Sequence, residues 1–149
     1  MEYFEIKETM IRDLANMFMN AFNAPPWNDK WTEETAGKRI RQMVTGENAY
    51  GIAGYLDGKL CGMIVGREEQ YYDCVHFEIK EFCMDISMKN KGLGSLLLKE
   101  FESRLKEKGI DKIILWTSRD PRTEGYYQKK GYETNEFLTV MEKRISGTL

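Results

Sequence analysis

One histidine and three cysteines are nearly all that this chain of 149 residues offers a soft metal or a redox couple. With His76 alone, any site that needs two imidazole ligands is excluded, and no metal is expected. The thiols of Cys61, Cys74 and Cys83 are odd in number and lack C-x-x-C spacing. Reduced thiols explain them better than disulfides or zinc. No apolar run is long enough to span a bilayer and no leader-like segment is visible, so a cytoplasmic protein without a membrane partner is expected. A net charge of −2 withholds the basic field that nucleic acid would require of a partner. Two phosphate-binding fingerprints are missing as well. No G-x-x-x-x-G-K-[ST] string occurs, and Leu97 stands where a dinucleotide turn would place its third glycine.

What is present describes one globular domain over residues 1–149, with 42% hydrophobic and 31% charged residues and no repeat, low-complexity tract or dividing linker. Residues 2–7 alternate like a short strand. Thr9 can cap a helix with Ile11, Leu14, Ala15 and Phe18 on its apolar face, ended by Asn23-Ala24-Pro25-Pro26. Thr32 can cap a second helix running to about Thr45. Ala49–Leu56 and Lys59–Val65 flank Asp57-Gly58, a hairpin signal. Tyr72–Ile86 reads as a long strand, with Glu68, Glu69 and Asp73 in the loop before it. Leu93–Lys108 reads as a helix stopped by Gly109, Lys112–Thr117 as a strand, Glu124–Lys130 as a short helix stopped by Gly131, and Phe137–Met141 as a last strand. The order βααβββαβαβ implies a mixed α/β fold, a central twisted sheet flanked by helices.

The most telling segment is Lys89-Asn90-Lys91-Gly92-Leu93-Gly94, a glycine-rich turn between a strand and a helix. Such a turn presents successive backbone N–H groups at a helix N-terminus, where a phosphate or pyrophosphate can bind. Gly92 and Gly94 let a large anion approach the main chain, and Lys89 and Lys91 add positive charge. Two glycines before a helix also serve as a tight turn and nothing more.

A second constellation, Asp120-Pro121-Arg122-Thr123-Glu124-Gly125-Tyr126-Tyr127-Gln128-Lys129-Lys130-Gly131-Tyr132, joins that turn. Together they resemble the GNAT superfamily of acetyl-CoA-dependent N-acyltransferases. That family carries [QR]-x-x-G-x-[GA] at its pyrophosphate turn and, further on, N-x-x-A-x-x-x-Y-x-K-x-G-F. Lys89 stands in the Gln/Arg place, Asp120 in the Asn place, Thr123 in the Ala place, Tyr127 in the Tyr place and Gly131-Tyr132 in the Gly-Phe place. The two motifs cover the C-terminal half, and the N-terminal half agrees in element order. The resemblance implies that Lys89, Asn90, Lys91, Gly92, Leu93, Gly94 and Ser95 cradle the CoA pyrophosphate, with Asp120 and Tyr127 also at the cofactor. It further implies that backbone groups around Met84, Asp85 and Ile86 meet the pantetheine arm, the N–H near Met84 serving as oxyanion donor.

Attack of an amine on a thioester needs a base, a fixed N–H donor for the oxyanion, and an acid for the departing thiolate. Tyr127, at the family's tyrosine place, is the implied acid, with packing as its other reading and Tyr126 as its neighbour on the helix. Counting back from Lys89, Glu78 falls where some family members carry an active-site glutamate. On a regular strand His76, Glu78, Lys80, Phe82 and Met84 share one face and Glu81 takes the other, but the family's strand carries a bulge that can change faces. Glu78 is therefore the first base and Glu81 the second, with a solvated or salt-bridged carboxylate as the other reading of both; His76 is a weaker candidate. Cys83 could park an acyl group, although no partner to lower its pKa is evident. Trp27 and Trp31 lie in the loop that walls the acceptor pocket in this family, where they would stack on an acceptor or staple helices to the core.

The function implied is transfer of acetyl from acetyl-CoA to a primary amine of a small polyamine- or aminoglycoside-like molecule. Peptide or protein N-acetylation, and a non-catalytic acyl-CoA-binding regulator on the same fold, are the alternatives. A last strand is often exchanged between protomers in the family, so a homodimer is one implied assembly.

Overall fold

The computed structural model describes residues 1–147. Two compact units divide the chain, one spanning Met1–Trp116 and the other beginning at Thr117. In the first unit, strands β1 (Glu2–Glu5), β2 (Ala49–Leu56), β3 (Lys59–Gln70), β4 (Val75–Met84) and β5 (Lys112–Leu115) form one sheet in sequence order. The first three pairings are antiparallel and β4–β5 is parallel. Helices α1 (Ile11–Asn23), α2 (Glu33–Val44) and α3 (Leu93–Glu107) cover it, giving the mixed α/β layer architecture expected. Among the described residues no helix is long and apolar enough to cross a membrane.

The two faces have separate apolar sets. Leu14, Phe18, Ala36 and Ile40 of α1 and α2 pack with Ala53, Met63 and Cys83, three residues in register across β2, β3 and β4. On the opposite face Phe77 meets Phe101 of α3 edge-on, with ring centroids 5.3 Å apart. Burial on both faces explains why β3 is buried continuously from Cys61 to Gly66 instead of alternating.

Local signals act as the sequence suggests in most places. Thr32 caps α2, its hydroxyl accepting from the Thr35 amide at 3.1 Å while Thr35 returns the bond to the Thr32 amide at 2.9 Å. Asp57-Gly58 turns β2 into β3, both with positive φ. Thr9, by contrast, does not cap α1: a 3-10 turn at Glu8–Met10 leads into the helix, whose N-cap is Met10 without a side-chain cap. The second hairpin is longer than its signal, because β3 continues to Gln70 and the chain reverses at Tyr71–Cys74. Glu68 and Glu69 are therefore strand residues, not loop residues, and β4 starts at Val75, not Tyr72.

The second unit holds α4 (Glu124–Lys129), after which the chain is irregular. The strand expected at Phe137–Met141 does not form. The amides of Phe137 and Leu138 bond to the Asn135 side chain, at 2.8 and 3.1 Å, in place of a ladder. Phe137, Leu138 and Met141 are largely exposed, so no packed face rewards an extended pairing.

One irregularity in the sheet matters more than the rest. Val65 lies opposite Glu81 and Gly66 opposite Ile79, so Lys80 is an extra residue, a bulge in β4. Gly66 sits where the bulge presses the strands together. A Cβ there would come within 1.9 Å of the Glu78 carbonyl oxygen and 2.7 Å of the Phe77 ring. Gly66→Ala should cost on the order of 3 kcal/mol in urea denaturation, or force the bulge out of register. A loss within 0.5 kcal/mol, about the size of an ordinary surface change, would show that the bulge is not held as described.

Candidate active site

β4 ends at Met84, and a 3-10 turn (Ile86–Met88) carries the chain to α3. Asp85 fixes this turn. Its carboxylate accepts from the Ser87 amide at 2.9 Å and from the Ser87 hydroxyl, and these bonds hold it below the usual carboxylate range. The Asp85 amide is already donated to the Cys61 carbonyl at 2.8 Å. Lys89, Asn90, Lys91 and Gly92 are exposed, and Leu93, Gly94 and Ser95 are half-buried. Gly92 is the N-cap of α3 with φ 74°, a left-handed conformation that favours glycine, and Asn90 is left-handed too. The first bond within the helix runs from the Leu96 amide to the Gly92 carbonyl at 3.3 Å, so the amides of the opening turn point out of the helix end. Two lysines therefore stand beside the outward-pointing amides at the start of a 15-residue helix, an arrangement in which an anion can be received.

Beside that turn the sheet opens. β4 and β5 pair from His76 and Lys112 to Ile79 and Leu115, and no further. Past Ile79, alternate backbone groups of β4 point to the side that β5 has left. The Asp85 amide points to β3, so the alternation turns those of Met84 and Phe82 the other way. Met84 is thus placed to offer an amide at the parting of the strands.

The bulge also corrects the carboxylate register. A regular strand would put Glu78 and Glu81 on opposite faces. With Lys80 inserted, Glu78 is paired with Arg67, whose guanidinium bonds to the Gln42 carbonyl of α2, and Glu81 is paired with Val65. Both glutamates therefore lie on the α1/α2 face, while Phe82 and Met84 lie on the α3 face near Gly94. Glu78 accepts from Lys80 Nζ at 2.9 Å, and that ammonium also sits 5.4 Å from the Trp116 ring centroid. Glu81 accepts from Arg39 Nε and Nη2, both on Oε1, at 3.1 and 2.9 Å. Burial pushes the Glu81 carboxyl up, and the Arg39 bonds oppose it. Sequence reasoning missed Arg39. Its one local signal is a charged residue among the buried positions Ala36, Ile40 and Met43 of an amphipathic helix.

The two tryptophans part ways. Trp31 is locked by its backbone, which exchanges bonds with the Asn23 side chain at 2.8 and 2.9 Å, and its ring meets Phe18 edge-on at 4.8 Å. It staples α1 to the loop. Trp27 is 42% exposed and only tilts against Phe22. Cys83 is buried beneath α1 and α2, and burial pushes its thiol far above the usual range. His76 stacks on Tyr71 at 4.0 Å, with Nδ1 buried and unbonded.

In the second unit, Asp120 and Tyr127 belong to one compact turn-helix. The Asp120 carboxylate accepts from the Arg122 amide at 2.7 Å and from Arg122 Nε at 3.2 Å, and is held below its usual range, the amide bond foremost. Its carbonyl accepts from the Thr123 and Gly125 amides, starting α4. The Tyr127 ring is set edge-on between Tyr126 and Tyr132, at 5.3 and 5.4 Å.

Residues 11–132 match the sequence model of the Acetyltransferase (GNAT) family. No curated protein sequence matches the chain. Solved structures share its fold at low identity. A possible acetyltransferase from Clostridium difficile 630 superposes with a TM-score of 0.82 at 11% identity, covering 97% of this chain and 98% of that one. An aminoglycoside acetyltransferase from an uncultured soil metagenomic sample gives 0.73 at 13%, covering 97% and 98%. A ribosomal-protein-alanine N-acetyltransferase from Brucella melitensis biovar Abortus 2308 gives 0.73 at 12%, covering 97% and 100%.

The burial of the thiols has a direct consequence. In the native protein a chromogenic disulfide reagent should react quickly at half-exposed Cys74, and slowly at Cys61 and Cys83, with all three thiols released on unfolding. Fast native labelling of Cys83, read by peptide mass, would restore it as a nucleophile.

Proposed function

This chain belongs to the GNAT acetyltransferase family, and we propose that it transfers acetyl from acetyl-CoA to a primary amine of a small polyamine- or aminoglycoside-like molecule. The observation that carries this reading is the pairing of an exposed, lysine-flanked turn at Lys89–Gly94 with two glutamates on one face of β4, Glu78 within the last paired stretch and Glu81 just past it where the sheet opens. The turn suits the CoA pyrophosphate and the parted strand suits the pantetheine arm. A non-catalytic acyl-CoA binder would need the turn but not the carboxylates.

The amine must reach the thioester unprotonated. A glutamate of the α1/α2 face, acting directly or through a held water, removes that proton. Glu78 stands at the family's place by counting, and Glu81 shares its face. As nitrogen bonds to the acetyl carbon, the carbonyl electrons shift to oxygen, and the Met84 amide is the assigned donor to that oxyanion. Collapse re-forms the carbonyl and breaks the C–S bond, the nitrogen loses its second proton to solvent, and Tyr127 gives its phenolic proton to the CoA thiolate. That role rests on the tyrosine place of the family motif. Phenol and thiol are close enough in pKa for the transfer. Solvent returns the phenol's proton. Exposed Trp27 is the acceptor-side ring of the pair, with Trp31 serving to hold the loop.

The test mixes the protein with acetyl-CoA, a thiol reporter, and spermidine, an aminoglycoside or an alanine-terminated peptide in turn. CoA release with the first two is expected, and release with the peptide alone would move the acceptor to protein termini. Gly92→Val places a branched side chain at a left-handed position on the turn and should abolish acetyl-CoA binding by calorimetry while the fold persists. Unchanged affinity would remove the turn from the cofactor site.

Tyr127→Phe removes one hydroxyl and keeps the ring between its neighbours. Turnover should fall by roughly 10²–10⁴-fold, with acetyl-CoA affinity within a few-fold. Tyr126→Phe is the control. Equal small losses in both would make Tyr127 structural, with solvent protonating the thiolate.

A further inference from the structure

We propose that Arg39 is a positioning residue that clamps one oxygen of Glu81 and leaves the other to take the acceptor amine's proton, so that Glu81, not Glu78, is the base. This rests on the acetyl-transfer reading above. Three observations carry it.

The first is where each carboxylate lies along β4. Glu78 is opposite Ile114, inside the ladder where β4 and β5 are still joined. Glu81 lies beyond the last pair, Ile79 with Leu115, on the stretch where the strands have parted. An amine attacking a thioester held between the parted strands meets Glu81's segment first.

The second is how each is held. Glu78 is bonded by Lys80, two residues along the same strand, through a flexible ammonium. Glu81 is held across the layers by a residue 42 positions away in sequence, from the buried side of α2. Arg39 Nε and Nη2 both reach Oε1, and no described residue bonds to Oε2. A planar guanidinium on a packed helix fixes a carboxylate's direction far better than a lysine does. The side chains of Arg39 and Glu81 retain 33% and 16% of their exposure, so the pair is not sealed from solvent.

The third is the charge around it. Arg39 of α2 faces the carboxylate, Asp29 of the loop between α1 and α2 opposes it, and β3 presents uncharged Val65. On β4 itself the neighbours are Cys83, whose thiol is neutral, and Lys80, whose ammonium is engaged by Glu78. Burial and Asp29 raise the carboxyl while Arg39 lowers it, which suits a group that must accept a proton and release it. In the step itself, a proton of the acceptor ammonium passes to Oε2, the freed lone pair bonds to the acetyl carbon, and the nitrogen's second proton goes to solvent. The C–S electrons leave with sulfur, and the carboxylic acid then loses its proton to solvent.

The experiment titrates the Glu81 carboxyl carbon in glutamate-labelled protein by NMR, the resonance being identified by its loss in Glu81→Gln. The guanidinium stabilises the charged form, so Arg39→Met should raise the midpoint by about one unit, and Arg39→Lys by less. In turnover with spermidine, Arg39→Met should lower kcat by roughly 10–100-fold with the KM for acetyl-CoA unchanged, and the acid limb of kcat should move up with the midpoint. Arg39→Met combined with Glu81→Gln should lose little beyond Glu81→Gln alone. An unmoved midpoint, additive losses, or a moved midpoint with kcat unchanged would each overturn the proposal. Arg39→Lys decides the matter if Arg39→Met does not fold. Absence of CoA release from the wild type with every amine would instead overturn the acetyl-transfer reading, and the NMR midpoints would still report whether the clamp exists.

Discussion

Inserting Lys80 into β4 is the constraint on which the candidate site depends. One unpaired residue changes the face presented by every residue on one side of it relative to the other. Phe77 and Ile79 then feed the apolar layer under α3, while Glu81 and Cys83 turn toward α1 and α2. The same residue marks the end of β4–β5 pairing. A single irregularity therefore coincides with the end of the β4–β5 ladder and gathers two glutamates on one face of β4. Gly66 makes this affordable in space, since no side chain could stand opposite the bulge.

The two glutamates show how differently an ion pair can be built. Lys80 and Glu78 are near neighbours on one strand, a pairing with small net worth because long side chains must be ordered near water. Arg39 and Glu81 are about as exposed as that pair but bridge a helix and a strand, and there burial pushes the Glu81 carboxyl up while the guanidinium holds it down. The second arrangement couples the placement of α2 to that of β4. Thr32, which caps α2, thus contributes at a distance to where Arg39 lies.

Features written in local chemistry were legible in the sequence. The Asp57-Gly58 hairpin, the Thr32 cap, the stop at Gly109 and the turn at Lys89–Gly94 each depend on residues within a few positions of one another. The bulge was implied by the family resemblance but not marked by the residues themselves, because Phe77, Ile79, Glu81 and Cys83 keep an unbroken alternation in the sequence while the ladder shifts beneath them. Arg39 was hidden for the same reason: its partner is distant in the chain and defined only once helix and sheet are packed. Phe137–Met141 failed in the opposite direction. Its residues favour strand, but β-propensity reports fit to a half-buried neighbouring surface, and the Asn135 side chain takes the amides first.

That same segment carries a solubility problem and its remedy. Phe137-Leu138-Thr139-Val140-Met141 is uncharged, free of proline and rich in β-prone side chains, the composition from which stacked cross-strand aggregates grow. Glu136 stands directly before it, and Glu142-Lys143-Arg144 directly after it, ahead of exposed Ile145. Charges at both ends act as gatekeepers, since stacking copies in register would bring like charges together at each layer. Charge at both ends of an exposed apolar segment thus opposes its stacking on copies of itself.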